Sequence, residues 1–159
     1  MFILAGCRRE EKDRALVNEW LTHNCSVSGH SDLVRQVAAR GAAIEPLFLE
    51  AFRKGPPQAR QNSVIASVER DWSQIQVQLA EPEIYGLSPE EITEMKSVSL
   101  ANEKRQALDR SHFNYRSAAI EALGITKGAA GREELLRISR DNSSRFRSIA
   151  LLALARARK

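Results

Sequence analysis

The chain has 159 residues, 43% of them hydrophobic and only 6% aromatic, and carries a net charge of +4. That length and apolar content suit one ordinary domain with a real core, and they exclude a chain disordered over most of its length. Two cysteines do not make a disulfide scaffold, and five prolines and eight glycines among many Ala, Leu, Arg and Glu favour an all-α fold.

Met1 to Cys7 reads MFILAGC, an apolar run that stops at a cysteine and gives way to RREEKDR. The string Leu4 to Cys7 resembles a bacterial lipobox, where the cysteine thiol is diacylated and the preceding peptide is removed. The resemblance implies that residues 1–7 are the remnant of a lipoprotein signal peptide. Cys7 would then be lipidated, holding the rest of the chain at the cell envelope, facing the periplasm or the exterior. Only six residues precede Cys7, fewer than a basic and an apolar signal region need, so the true start is expected upstream. If Met1 is the true start, Phe2, Ile3 and Leu4 open the first helix, Cys7 is a buried thiol and the protein is cytoplasmic. No apolar run approaches the roughly eighteen residues that span a bilayer.

Residues 8–22 are expected to form a first helix with Leu16, Val17, Trp20 and Leu21 along one stripe. Thr22 to Asp32 is rich in Ser, Asn and Gly and reads as a loop, with Ser31 placed to cap a second helix that stops near Gly41. A third helix is expected from about Ile44 to Lys54, ended by Gly55-Pro56-Pro57. Gln58 to about Gln78 fits one long helix in which Val64, Ile65, Val68, Trp72, Ile75 and Leu79 recur at helical spacing. Ser88-Pro89-Glu90-Glu91 is a capping box with proline at the first helical position, so a helix is expected from Pro89 to about Asp109. Three more helices are expected at Asn114 to Leu123, Arg132 to Arg140 and Ser144 to about Ala157.

Charge is unevenly spread. Residues 69–103 sum to −6, and from Lys104 onwards the balance is +8. Glu90, Glu91 and Glu94 fall in the first turns of a helix, where the dipole favours them, so much of the acidic patch has a structural reason. The basic residues offer a face for an acidic protein, lipid headgroups or nucleic acid. Arg132, Arg137, Arg140, Arg145 and Arg156 are the candidates for it.

The chain also repeats itself. RSAAIEAL, Arg116 to Leu123, returns 31 residues later as RSIALLAL, Arg147 to Leu154, and the preceding aromatics Tyr115 and Phe146 correspond. A fainter match sets Arg40-Gly41-Ala42-Ala43 over Lys127-Gly128-Ala129-Ala130, which brings Leu49 onto Leu136, Arg53 onto Arg140 and Arg60 onto Arg147. Periods of this size mark stacked helical hairpins.

On Arg116, Ala118, Ala119, Ala122, Leu123 and Gly124 in one unit, and Asp141, Arg147, Ala150, Ala153 and Leu154 in the next, the chain resembles the HEAT-like repeat family, in its short bacterial, bilin-lyase-related form. The resemblance covers residues 109–159 and, more faintly, 40–70. It implies a right-handed α-α superhelix of about six to eight helices, with residues 8–159 as one HEAT-like domain and 71–108 as its divergent acidic segment. It also implies a ladder of Asp109 and Asp141 with Arg116 and Arg147, residues that are then structural. Members of such a family serve as protein-binding scaffolds, and some are enzymes or DNA glycosylases, so the fold licenses no activity.

For chemistry, His23, Cys25 and His30 lie within eight residues, but their spacing matches no strong metal motif. There is no glycine-rich phosphate loop, nucleophile elbow or His-Glu-x-x-His, and no cofactor signature. The expectation is a non-catalytic scaffold that binds a protein partner and is membrane-anchored through Cys7. The alternative is a cytoplasmic protein that binds nucleic acid through its basic C-terminal face.

Overall fold

Runs of good helix formers, stopped by glycine and proline, give eight α-helices and no strand among the residues described by this computed structural model, 3–22 and 31–158. They are α1 (Ile3–Thr22), α2 (Ser31–Arg40), α3 (Glu45–Lys54), α4 (Gln58–Ala80), α5 (Pro89–Ser97), α6 (Leu100–Thr126), α7 (Ala129–Arg140) and α8 (Arg147–Ala157). A 3-10 turn lies at Gly41–Ala43. The expected stops after α2 and α3 are where glycine was read: Gly41 and Gly55 have φ of +53° and +77°, a region that residues with a side chain rarely adopt. No described helix is long and apolar enough to cross a membrane.

Several expected boundaries are corrected. The helix expected from Pro89 to Asp109 is two helices, because Val98 is extended (φ −74°, ψ 138°) and the chain restarts at Leu100. The Ser99 carbonyl accepts the Glu103 N–H at 2.9 Å, the bond that opens α6. The break expected before Asn114 is absent: α6 runs unbroken from Leu100 to Thr126, with no proline inside it and its one glycine, Gly124, tolerated near the end. α1 begins at Ile3, five residues before the expected start. α7 begins at Ala129, three residues early, and α8 begins at Arg147, three residues late, after turns at Ser144 and Arg147.

Internal contacts divide the chain into two compact units, Met1–Gly55 with Asn114–Lys159, and Pro56–Phe113. The first unit holds the core, in which Trp20, Val37, Ile44, Phe48, Ile120, Leu123 and Leu135 are fully buried. Trp20 packs edge-on against Phe48 at 6.4 Å, and its indole Nε1–H donates to the Ala118 carbonyl at 2.8 Å, so the largest core side chain is also polar-satisfied. α3 lies antiparallel to the second half of α6: Arg53 at the end of α3 meets Arg116, and Glu45 at its start meets Thr126. α7 and α8 form the other antiparallel pair, with Ser139 against Arg147.

The second unit is thinner. It contains α4, α5 and the start of α6, and the acidic segment 71–108 lies wholly within it. The expected stripe on α4 faces inward, yet Val64, Ile65, Val68, Trp72, Ile75 and Leu79 are only half-buried, as a unit this small has little interior to offer. The capping box is formed as read: Ser88 Oγ accepts from the Glu91 N–H at 3.2 Å, and Glu91 Oε2 accepts from the Ser88 N–H at 2.7 Å. Those bonds hold the Glu91 carboxyl below its ordinary range. Lys104 ties α6 to Glu69 of α4 at 2.5 Å.

Candidate functional site

The two arginines that opened the repeat do matching work. Arg147 Nε–H donates to the Ser139 carbonyl at 3.1 Å, in the last turn of α7, and Arg116 Nη2–H donates to the Arg53 carbonyl at 3.4 Å, in the last turn of α3. Each therefore satisfies a carbonyl at a helix C-terminus, where a cation also suits the dipole. Arg116 thus occupies at the end of α3 the place that Arg147 occupies at the end of α7. Asp141 Oδ1 accepts from the N–H and the hydroxyl of Ser143, at 2.9 and 2.6 Å, and these bonds keep its carboxyl low. Asp109 lies exposed on α6 within the Pro56–Phe113 unit.

Among the described residues three acids are buried in the first unit, Asp13, Glu45 and Glu134, and sequence reading missed all of them; Asp13 of α1 pairs with Arg40 of α2 at 3.0 Å. Glu134 of α7, its side chain 8% exposed, accepts from Arg137 at 2.6 Å and from Arg53 of α3 at 3.3 Å. The Arg137 hydrogen bond, more than the burial that opposes it, holds the Glu134 carboxyl below its usual range. Glu45 is 4% exposed and accepts from Thr126 Oγ1 at 3.4 Å. Its carboxylate fills the space beside Gly128 and Gly131 at the start of α7, where a negative charge is favoured. The signal for Glu45 was present as Gly128-Ala129-Ala130-Gly131: two glycines three apart at a helix start leave a hollow for something.

The candidate basic residues split between the two ends of the α7/α8 pair. Arg132 is exposed at the rim of a cleft of about 140 Å³ that Lys127, Gly128 and Arg158 also line, over a floor of Leu123, Leu135 and Leu154. Arg137 is held by Glu134. Arg140 is exposed where α7 ends, and Arg145 lies over the Phe146 ring at 5.8 Å. Arg156 is exposed on α8 and draws on Glu121 of α6, whose carboxyl burial pushes above its ordinary range.

α8 itself is apolar on two sides. Ala150 and Ala153 are buried, with Ile149 and Leu154 packed against the core, while Ser148, Leu151, Leu152 and Ala155 are exposed. These four follow i, i+3, i+4, i+7 and so form one continuous outer stripe. Arg156 and Arg158 follow it at the helix end.

Cys7 falls within the backbone of α1, but its side chain, and all of His23, Cys25 and His30, lie outside the described residues. Among the described residues no three acids, cysteines or histidines gather where they would hold a metal ion. Comparison of the chain with protein-family models, with curated proteins and with solved structures found no match.

Proposed function

We propose that the chain is a non-catalytic helical-repeat scaffold that binds a protein partner through the outer face of α8, and that a lipid on Cys7 holds it at a bacterial membrane. The observation that carries the reading is the stripe Ser148, Leu151, Leu152 and Ala155, which leaves Leu152 65% exposed. An exposed apolar stripe along a helix whose other side packs on the core favours a covering partner.

The HEAT-like reading treats α3 with the second half of α6 as one hairpin, and α7 with α8 as the next. α3 matches α7 at an offset of 87 residues, Arg53 to Arg140, whereas α6 matches α8 at 31, Arg116 to Arg147. The offsets differ by 56 residues, close to the length of the Pro56–Phe113 unit, which the reading places as an insertion inside the first hairpin. The shared role of Arg116 and Arg147 at helix ends supports the same pairing.

A photo-crosslinking residue at position 152 in producing cells tests the binding face. A protein adduct is expected from 152 and not from the exposed position 130 on α7; no adduct from 152 removes the reading. Labelled fatty acid should enter the native chain and be lost in Cys7→Ser, and an unlabelled native chain removes the anchor.

One observation favours a second reading, the cluster of Lys127, Arg132 and Arg158 around a single cleft. These cations suit phosphates, which makes a cytoplasmic nucleic-acid-binding protein the rival. Duplex DNA binding would then fall steeply with salt, and absence of binding at about 50 mM salt removes it.

A further inference from the structure

The large apolar side chains exposed among the described residues fall mainly into two sets with opposite charged surroundings. Leu151 and Leu152 on α8, 46% and 65% exposed, are followed by the exposed Arg156 and Arg158 at the end of the same helix. Ile84 and Tyr85, 76% and 47% exposed, stand at the tip of the α4–α5 connection beside the exposed Glu81 and Glu83. The remaining one, Val77, belongs to α4 close to its end.

The tip is a built turn. The Ile84 N–H donates to the Glu81 carbonyl at 3.1 Å, the Gly86 N–H to Glu83 at 3.4 Å and the Leu87 N–H to Pro82 at 3.0 Å. Gly86, at φ +65°, allows the chain to turn back there. Ile84 and Tyr85 are therefore presented by hydrogen-bonded backbone, which lowers the ordering cost of binding.

We infer that the chain self-associates head to tail, with Ile84 and Tyr85 of one copy seated on the Leu151, Leu152 and Ala155 stripe of a second copy, and Glu81 and Glu83 facing Arg156 and Arg158. This rests on the reading of the α8 stripe as a binding face, and it names the occupant. A second copy fits because the chain itself carries an apolar patch of the complementary charge, and neither patch matches itself: two basic stripes, or two acidic tips, repel. The contact is heterologous, so a dimer retains a free stripe on one copy and a free tip on the other, and growth continues unless a ring closes. Four large side chains make a small interface at the weak end of the range, with a dissociation constant on the order of 100 µM. Salt should weaken it, since the flanking charges are exposed.

Analytical ultracentrifugation of the full chain tests this. The average mass should rise with concentration through that range and fall back on adding salt. Leu152→Glu and Ile84→Asp, both at exposed positions and checked for unchanged helicity by circular dichroism, should each remain monomeric. Mixed in equal amounts they should give a 1:1 dimer and nothing larger, because one supplies an intact tip and the other an intact stripe. A wild-type monomer at every concentration, or association that survives both variants, overturns the inference. If the wild type is monomeric while position 152 still crosslinks to another protein, self-association falls and the binding-face reading stands; if neither occurs, both fall.

Discussion

Gly124 of α6 lies directly against Ala153 of α8, where a methyl group on the glycine would come within 2.7 Å of the Ala153 carbonyl oxygen and 2.9 Å of its Cα. Replacing glycine by alanine inside a helix ordinarily gains about 1 kcal/mol. Here the obstruction is backbone, which cannot swing aside, and overpacking of that kind costs about 1–3 kcal/mol. The helical gain offsets part of that cost, so Gly124→Ala should destabilise the first unit by up to about 2 kcal/mol in urea titration followed by circular dichroism. An unchanged or higher midpoint would show that α6 and α8 can part without cost.

Glu45 and Gly131 are coupled in the same way through a carboxylate. A methyl at Gly131 would lie 2.8 Å from Glu45 Oε2 and 3.1 Å from Leu123 Cδ2. Glu45→Ala removes a buried anion from the start of α7 and should cost about 1–2 kcal/mol. In that background Gly131→Ala should cost less than it does alone, since the crowding oxygen is gone. Strict additivity in the double-mutant cycle would mean that the glycine serves something other than the Glu45 side chain.

The helix inventory was legible because its punctuation is local. Gly41, Gly55 and the Ser88–Glu91 capping box each act within four residues, and each stands where the residue pattern puts it. The break at Val98 was not legible, since Val98 and Ser99 are each compatible with a continuous helix. For the basic candidates, sequence showed which residues carry charge and not which are already held. Arg137 is held by Glu134 three residues before it, a spacing that sequence does display, but the second partner of Glu134, Arg53, lies 81 positions away and no local pattern reports it. The outer stripe of α8 was hidden for a related reason: RSIALLAL reads as core on every side until the described neighbours cover only one.

The Ser88 cap belongs to a unit with little buried surface, so its loss should be felt locally. Ser88→Ala should cost about 1 kcal/mol. Hydrogen exchange should quicken in α5 while the amides of α7 keep their protection, because the two helices belong to different compact units. Equal loss of protection in both helices would show that the chain opens as a single cooperative body.

Glu134 and Glu121 should respond to pH with opposite signs. The Glu134 carboxyl is held below the ordinary glutamate value of 4.5, chiefly by Arg137, so its contribution to stability is present above that value and is lost as pH falls through the lower folded value. Arg137→Gln removes the main cause, and acid unfolding should then begin at higher pH. Glu121 is raised above 4.5 by burial, only partly offset by Arg156. Its folded state holds the proton more tightly than the unfolded chain, so stability falls as pH rises from 4.5 through the raised value, and the full penalty remains at neutral pH. Glu121→Gln removes that penalty. Because the group is only partly buried, solvent limits the gain, and the melting temperature at neutral pH should rise by about 1–3 °C. Near pH 3, where the carboxyl is protonated in both states, the gain should vanish. A variant less stable than the wild type at neutral pH would mean that the attraction to Arg156 outweighs burial, and that Glu121 stabilises the α6–α8 contact in its charged form.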